Sequence, residues 1–94
     1  MPLSANTDPY VLRRAGELLE VAAGAEGTDR FNSPEIRFWD YRVRGLPVSL
    51  QWERDVGLAL GAGEVDPTIE QRTRELAKAL MELLAREGLL EAKG

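Results

Sequence analysis

The stretch from Glu35 to Leu60 reads EIRFWDYRVRGLPVSLQWERDVGLAL, and its parity decides the fold. Trp39, Tyr41 and Val43 alternate with Asp40, Arg42 and Arg44. After Gly45-Leu46-Pro47, Val48, Leu50 and Trp52 alternate with Ser49, Gln51 and Glu53. A period of two is that of a strand with one face buried. The Gly and Pro between the runs predict a hairpin, with Pro47 opening the second strand where a missing donor is tolerated. A third run, Val56, Leu58 and Leu60, follows the charged turn Glu53-Arg54-Asp55. Together the runs predict a three-stranded antiparallel meander, about the smallest sheet that is stable. Two details depart from simple alternation. Ile36 and Phe38 have the opposite parity from Trp39 and Tyr41, which predicts either burial on both faces near the start of the strand or a bulge between Phe38 and Trp39. Gly57 and Ala59 give the third strand a face of small residues, where another backbone, from a helix or a second copy of the sheet, can come close.

Outward from the meander, one helix-start signal occurs on both sides, as Asp8-Pro9 and as Asp66-Pro67-Thr68. The carboxylate accepts from free backbone N–H groups, and Pro at the first helical position has no donor to leave unpaired. After the first signal, Val11, Ala15, Leu18 and Ala22, flanked by Leu12 and Leu19, mark one face of an amphipathic helix that Gly24 and Gly27 end. Residues 28 to 34 then read as a loop. After the second signal, Ile69, Leu76, Leu83 and Leu90 recur every seven residues, with Thr73 and Leu80 between them and Ala77 and Leu84 alongside. This predicts a helix from Pro67 to about Glu87, capped by Gly88. The spacing resembles a coiled-coil seam, but Thr73 and Glu87 interrupt it, so packing on the sheet is the expectation. Residues 1 to 7 show no periodicity and are expected to form a flexible N-terminal arm, with residues 8 to 94 as a single domain. The predicted fold is α+β in the order helix, three strands, helix, with both helices on one face of the sheet.

The 94 residues carry 16 acidic and 12 basic side chains, a net charge of −4, and neither cysteine nor histidine. These absences remove disulfides, thiolate nucleophiles, Ser/His triads, most zinc sites and the usual proton shuttle near neutral pH. Carboxylate pairs are the acid/base chemistry that is left. Glu17 and Glu20 share a helix face, and Glu70, Glu75 and Glu82 lie among Arg72, Arg74, Lys78 and Arg86, as on ordinary solvated helix faces. Asp40 is a lone acid amid Arg37, Arg42 and Arg44, an environment that suits an ion pair better than catalysis. Gly57, Gly61 and Gly63 lack the spacing, and the following Lys-Ser or Lys-Thr, of a phosphate-binding turn. A non-enzyme without cofactor or metal is therefore expected. A chain this small buries somewhat over ~60% of its unfolded surface, which leaves a modest core and makes a partner subunit reasonable.

Residues 1 to 29 hold two arginines against five carboxylates, whereas residues 30 to 54 hold five arginines against three. Basic residues interleaved with aromatics on a sheet can bind single-stranded nucleic acid. Parity tells against that here, because Arg42 and Arg44 share a face with Asp40 while Trp39 and Tyr41 point the other way. Trp39 and Trp52 read as a cross-strand core pair. The leading expectation is a small acidic, non-catalytic domain that occupies a surface of a partner protein, as inhibitors, immunity proteins and regulatory subunits do. Its partner face would be Arg37, Arg42, Arg44, Gln51, Glu53 and Arg54, since arginine is a favoured interface anchor. A nucleic-acid-binding module using the same arginines is the alternative. A homodimer would use the small-residue face of the third strand or Met81. The amino terminus lacks the basic region and apolar core of a secretory signal and no run is long enough for a membrane span, so a cytoplasmic protein is expected.

Overall fold

Seven elements follow one another as β1 (Pro2–Ser4), α1 (Pro9–Ala23), β2 (Glu26–Asn32), β3 (Ile36–Val43), β4 (Leu46–Glu53), β5 (Gly57–Ala62) and α2 (Pro67–Arg86). The computed structural model describes residues 1–90, so residues 91–94 of the expected domain lie outside the described residues. The protein is α+β, with one antiparallel sheet in the order β1-β5-β4-β3-β2 and two helices. Across β3 and β4, Trp39 opposes Leu50, Tyr41 opposes Val48 and Val43 opposes Leu46; across β4 and β5, Leu50 and Trp52 oppose Leu60 and Leu58. The alternating residues therefore share one face. There they meet Val11, Leu12, Ala15 and Leu19 of α1 and Ala77, Leu80 and Leu84 of α2 in a single core.

Both helices start as their sequences predict. The Asp8 carboxylate accepts from the Tyr10 N–H, and the Asp66 carboxylate accepts from Thr68 and Ile69. Thr73, which interrupts the α2 stripe, is buried but donates its hydroxyl to the Ile69 carbonyl at 2.7 Å, so its polarity is satisfied within the helix. Beyond α2 the chain turns at Gly88 and the Leu89 N–H returns to the Leu84 carbonyl at 3.0 Å, which tucks Leu89 into the core.

The sheet has five strands where alternation predicts three, because neither edge strand carries an alternating signal. β2 is exposed at every residue and is held by its ladder to β3. A strand that buries no side chain has no hydrophobic period to read, so most of the expected 28–34 loop is edge strand. β1 is short, and its register on β5 shifts between Pro2 and Ser4. The first residues are thus not a loose arm. Leu3 is buried, the Met1 amine donates to the Leu60 carbonyl at 2.7 Å, and the Ser4 hydroxyl donates to the carbonyls of Leu89 and Leu90.

That docking also explains the small residues of β5. Gly57 has a φ of 118°, and a Cβ there would run into the Ser4 carbonyl oxygen and the Ala5 backbone. The backbone admitted at Gly57 is the N-terminal segment of the same chain, rather than a helix or a second sheet. Val56 does not belong to the strand but stands exposed in the turn before it. The β3–β4 turn consists of Arg44 and Gly45, with φ of 51° and 80°, the two-residue type whose twist matches a hairpin. Leu46 is thereby released into the core and Pro47 lies within β4. The β3–β4 ladder runs unbroken from Ile36 opposite Glu53 to Val43 opposite Leu46. No bulge separates Phe38 from Trp39, and Ile36 and Phe38 are not buried: at 36% and 38% exposure they lie on the face away from the helices.

Candidate protein-binding surface

The helices leave one face of the sheet open, and strand parity fixes its contents. One row crosses it as Pro2, Ala59, Gln51, Phe38 and Phe31; the next runs Gly61, Ser49, Asp40 and Asp29. The rings of Phe31 and Phe38 stack with centroids 6.2 Å apart. Phe31 is 58% exposed, so this pair is an aromatic ridge in water and not a piece of core. Ile36 extends the ridge along β3 and shares a shallow hollow with Glu53, Arg54 and Val56.

The rest of the open face is mostly acidic. Asp29 directly opposes Asp40, Glu53 opposes Ile36, and Glu26 opposes Arg42. Like charges directly opposite one another destabilise a strand pair. Asp29 relieves part of this by accepting from the Arg30 backbone N–H at 2.8 Å, which also occupies a donor on the exposed edge. Below this row a depression of about 340 Å³ lies over Thr28, Asp40, Arg42, Pro47 and Ser49.

The six residues expected to form the partner face do not come together as one surface, although Glu53 and Arg54 share the hollow beside Ile36. Arg42, Gln51 and Glu53 are on the open face: Arg42 beside Pro47, Gln51 opposite Phe38, and Glu53 at the other end beside Ile36. The Gln51 amide lies over Gly61, in the space a Cβ would fill. Arg44 is in the β3–β4 turn, and Arg54 is in the β4–β5 turn, exposed and 3.9 Å from the Asp55 carboxylate. Arg37 is on the helix side, its guanidinium 5.1 Å from the centre of the Trp52 ring that it opposes. The residues that sequence reasoning missed are Phe31 and Phe38. Phe31 fell in an apparent loop, whereas the shared parity of Phe38 with Asp40 and Arg42 was the signal that could have placed it on the open face.

On the helix side, the two tryptophans are buried but do not oppose each other: Trp39 faces Leu50 and Trp52 faces Arg37. Trp39 donates its indole N–H to Asn32 Oδ1 at 2.8 Å, and Arg30 lies 4.0 Å above its ring. Among the described residues no well-formed hydrogen bond reaches the buried Tyr41 hydroxyl, although the Arg30 guanidinium lies close enough to oppose the effect of burial, which raises the pKa above the ordinary tyrosine value. Among the described residues no group of three or more acidic side chains is placed to hold a metal ion, and no helix is long and apolar enough to cross a membrane. Comparisons with family models, with curated proteins and with solved structures found no match for this chain.

Proposed function

We propose that this chain is a non-catalytic protein-binding domain that docks its open sheet face on a partner with an apolar centre and a basic rim. The observation that carries this reading is the solvent-exposed ridge of Phe31, Phe38 and Ile36, set beside Asp29, Asp40 and Glu53. Fully burying one such side chain contributes roughly 1.5–3 kcal/mol, so a partner covering the ridge gains where water does not. Charge decides what kind of partner. A second copy using the same face would set these carboxylates against one another, whereas a basic rim would complement them. A nucleic-acid backbone would meet the same repulsion, so this face lends no support to the nucleic-acid alternative.

A photoactivatable phenylalanine analogue at Phe38, with a second at Val65 as control, tests the reading in a lysate of the source cells. Val65 is 99% exposed in the β5–α2 connection. A single protein with a basic surface is expected to cross-link at position 38 and not at position 65. Equal capture at both positions, or products that vanish with nuclease, would count against it.

A further inference from the structure

The helix-side edge of the sheet carries two arginines, Arg30 and Arg37, neither of which forms an ion pair among the described residues. They stand diagonally: Arg30 opposes Trp39, and Arg37 opposes Asn32. Such positions put Cβ atoms about 7–8 Å apart or slightly less. Each guanidinium rests on a tryptophan, Arg30 at 4.0 Å and Arg37 at 5.1 Å from the ring centre. Stacking of this kind holds the charge in place and leaves N–H donors at the rim of the guanidinium. Asn32 stands between them in the ladder, and its Oδ1 is taken by the Trp39 indole, so the amide NH₂ is what it has left to offer. Arg37 Nε is buried with no acceptor among the described residues, an arrangement that native structures rarely leave unexplained. The nearest acid along β2, Asp29, is turned to the Arg30 backbone rather than to its guanidinium. Because β2 is exposed along its length, Arg30 and Asn32 are open to a ligand, and Arg37 beside them on β3 is half-buried.

We infer that Arg30, Asn32 and Arg37 form an oxyanion site whose ligand is a phosphate dianion, either inorganic phosphate or the terminal phosphate of a monoester. All three side chains present donors. Two positive charges with no ion-pair partner among the described residues favour a dianion over a carboxylate, and the planar fork of each guanidinium suits phosphate oxygens. The site lies on the opposite side of the sheet from the docking face, so either reading can fail alone.

The chain has two tryptophans, and each carries one of these arginines, so intrinsic fluorescence reads the site directly. The full chain is titrated with inorganic phosphate, phosphoserine and adenosine monophosphate, with ionic strength held constant by sodium chloride. A saturable change in the millimolar range is expected. Arg30→Gln and Arg37→Gln should each weaken binding about tenfold or more, in line with loss of a charge-assisted hydrogen bond, and Arg72→Gln, a change of equal charge on exposed α2, should leave it unaltered. Arg30 is exposed on an edge strand, so its variant carries the test even where Arg37→Gln disturbs packing. Tighter binding of phosphoserine or of the nucleotide identifies a monoester ligand, and equal binding identifies free phosphate. A signal that chloride reproduces, arginine variants that bind as the parent does, or an equal loss in Arg72→Gln would overturn the inference.

Discussion

The hydroxyl of Tyr41 in β3 occupies the space that a Cβ on Gly16 of α1 would need. Helix and sheet approach this closely because residue 16 has no side chain, and the Trp39 ring lies 3.4 Å from the same point. Gly16→Ala is expected to lower stability by about 1–3 kcal/mol through overpacking, even though Ala is favoured over Gly inside a helix by about 1 kcal/mol. In a Tyr41→Phe background, without the hydroxyl, the loss should shrink towards zero or reverse. Urea unfolding of the four variants measures this, and an equal effect of Gly16→Ala in both backgrounds would contradict the contact.

Two groups give stability a pH dependence of known sign. Arg14 donates to Glu87 at 2.7 Å, tying α1 to the end of α2, and holds the Glu87 carboxyl below the ordinary glutamate pKa. Its contribution is present above the unfolded value, roughly 4.3, and is lost as pH falls through the folded value. Glu87→Gln should flatten the stability curve in that acid window. Burial raises the Tyr41 pKa, so that stability is intact below the unfolded value, about 10, and is lost as pH rises from there through the folded value. Tyr41→Phe should remove that alkaline loss. Unfolding curves over both ranges test the two signs.

Leu3 is the side chain by which β1 enters the core. Leu3→Ala is expected to cost about 2–5 kcal/mol, as for other buried leucines. The Leu60 amide, which donates to the Met1 carbonyl at 2.8 Å, should then lose hydrogen-exchange protection before the centre of β4 does. Unchanged protection at Leu60 would mean that β1 contributes little to that edge.

Arg44 holds a φ of 51° in the β3–β4 turn. An ordinary residue in that region costs roughly 1–2 kcal/mol, and Asn is among the few that tolerate it. Arg44→Asn creates the favoured Asn-Gly pair and should raise stability by up to about 1 kcal/mol in thermal unfolding.

What was legible in the sequence follows what is buried on one side. Trp39, Tyr41 and Val43, then Val48, Leu50 and Trp52, placed the central strands and their inner face, and the two Asp-Pro starts placed both helices. β2 could not be read because Glu26 to Asn32 bury nothing, and β1 could not because only Leu3 among its residues is a buried hydrophobe. The open-face ridge was hidden for a related reason. Phe38 read as core because apolar residues usually are, and its partner Phe31 lay in a segment that showed no strand at all. Arginine-rich sequence also misled by proximity: parity sends Arg37 to the tryptophan side while Arg42 faces out, and turns take Arg44 and Arg54.

Docking of a protein on the open face is read out by affinity capture from lysate, with and without nuclease treatment. The parent chain is compared with Phe31→Ser/Phe38→Ser, and Arg72→Gln serves as a control on α2. One stoichiometric partner with a basic surface is expected, retained by the parent and the control and lost from the double variant while its unfolding curve stays cooperative. Retention of that partner by the double variant, or capture by the parent that depends on nucleic acid, would contradict it.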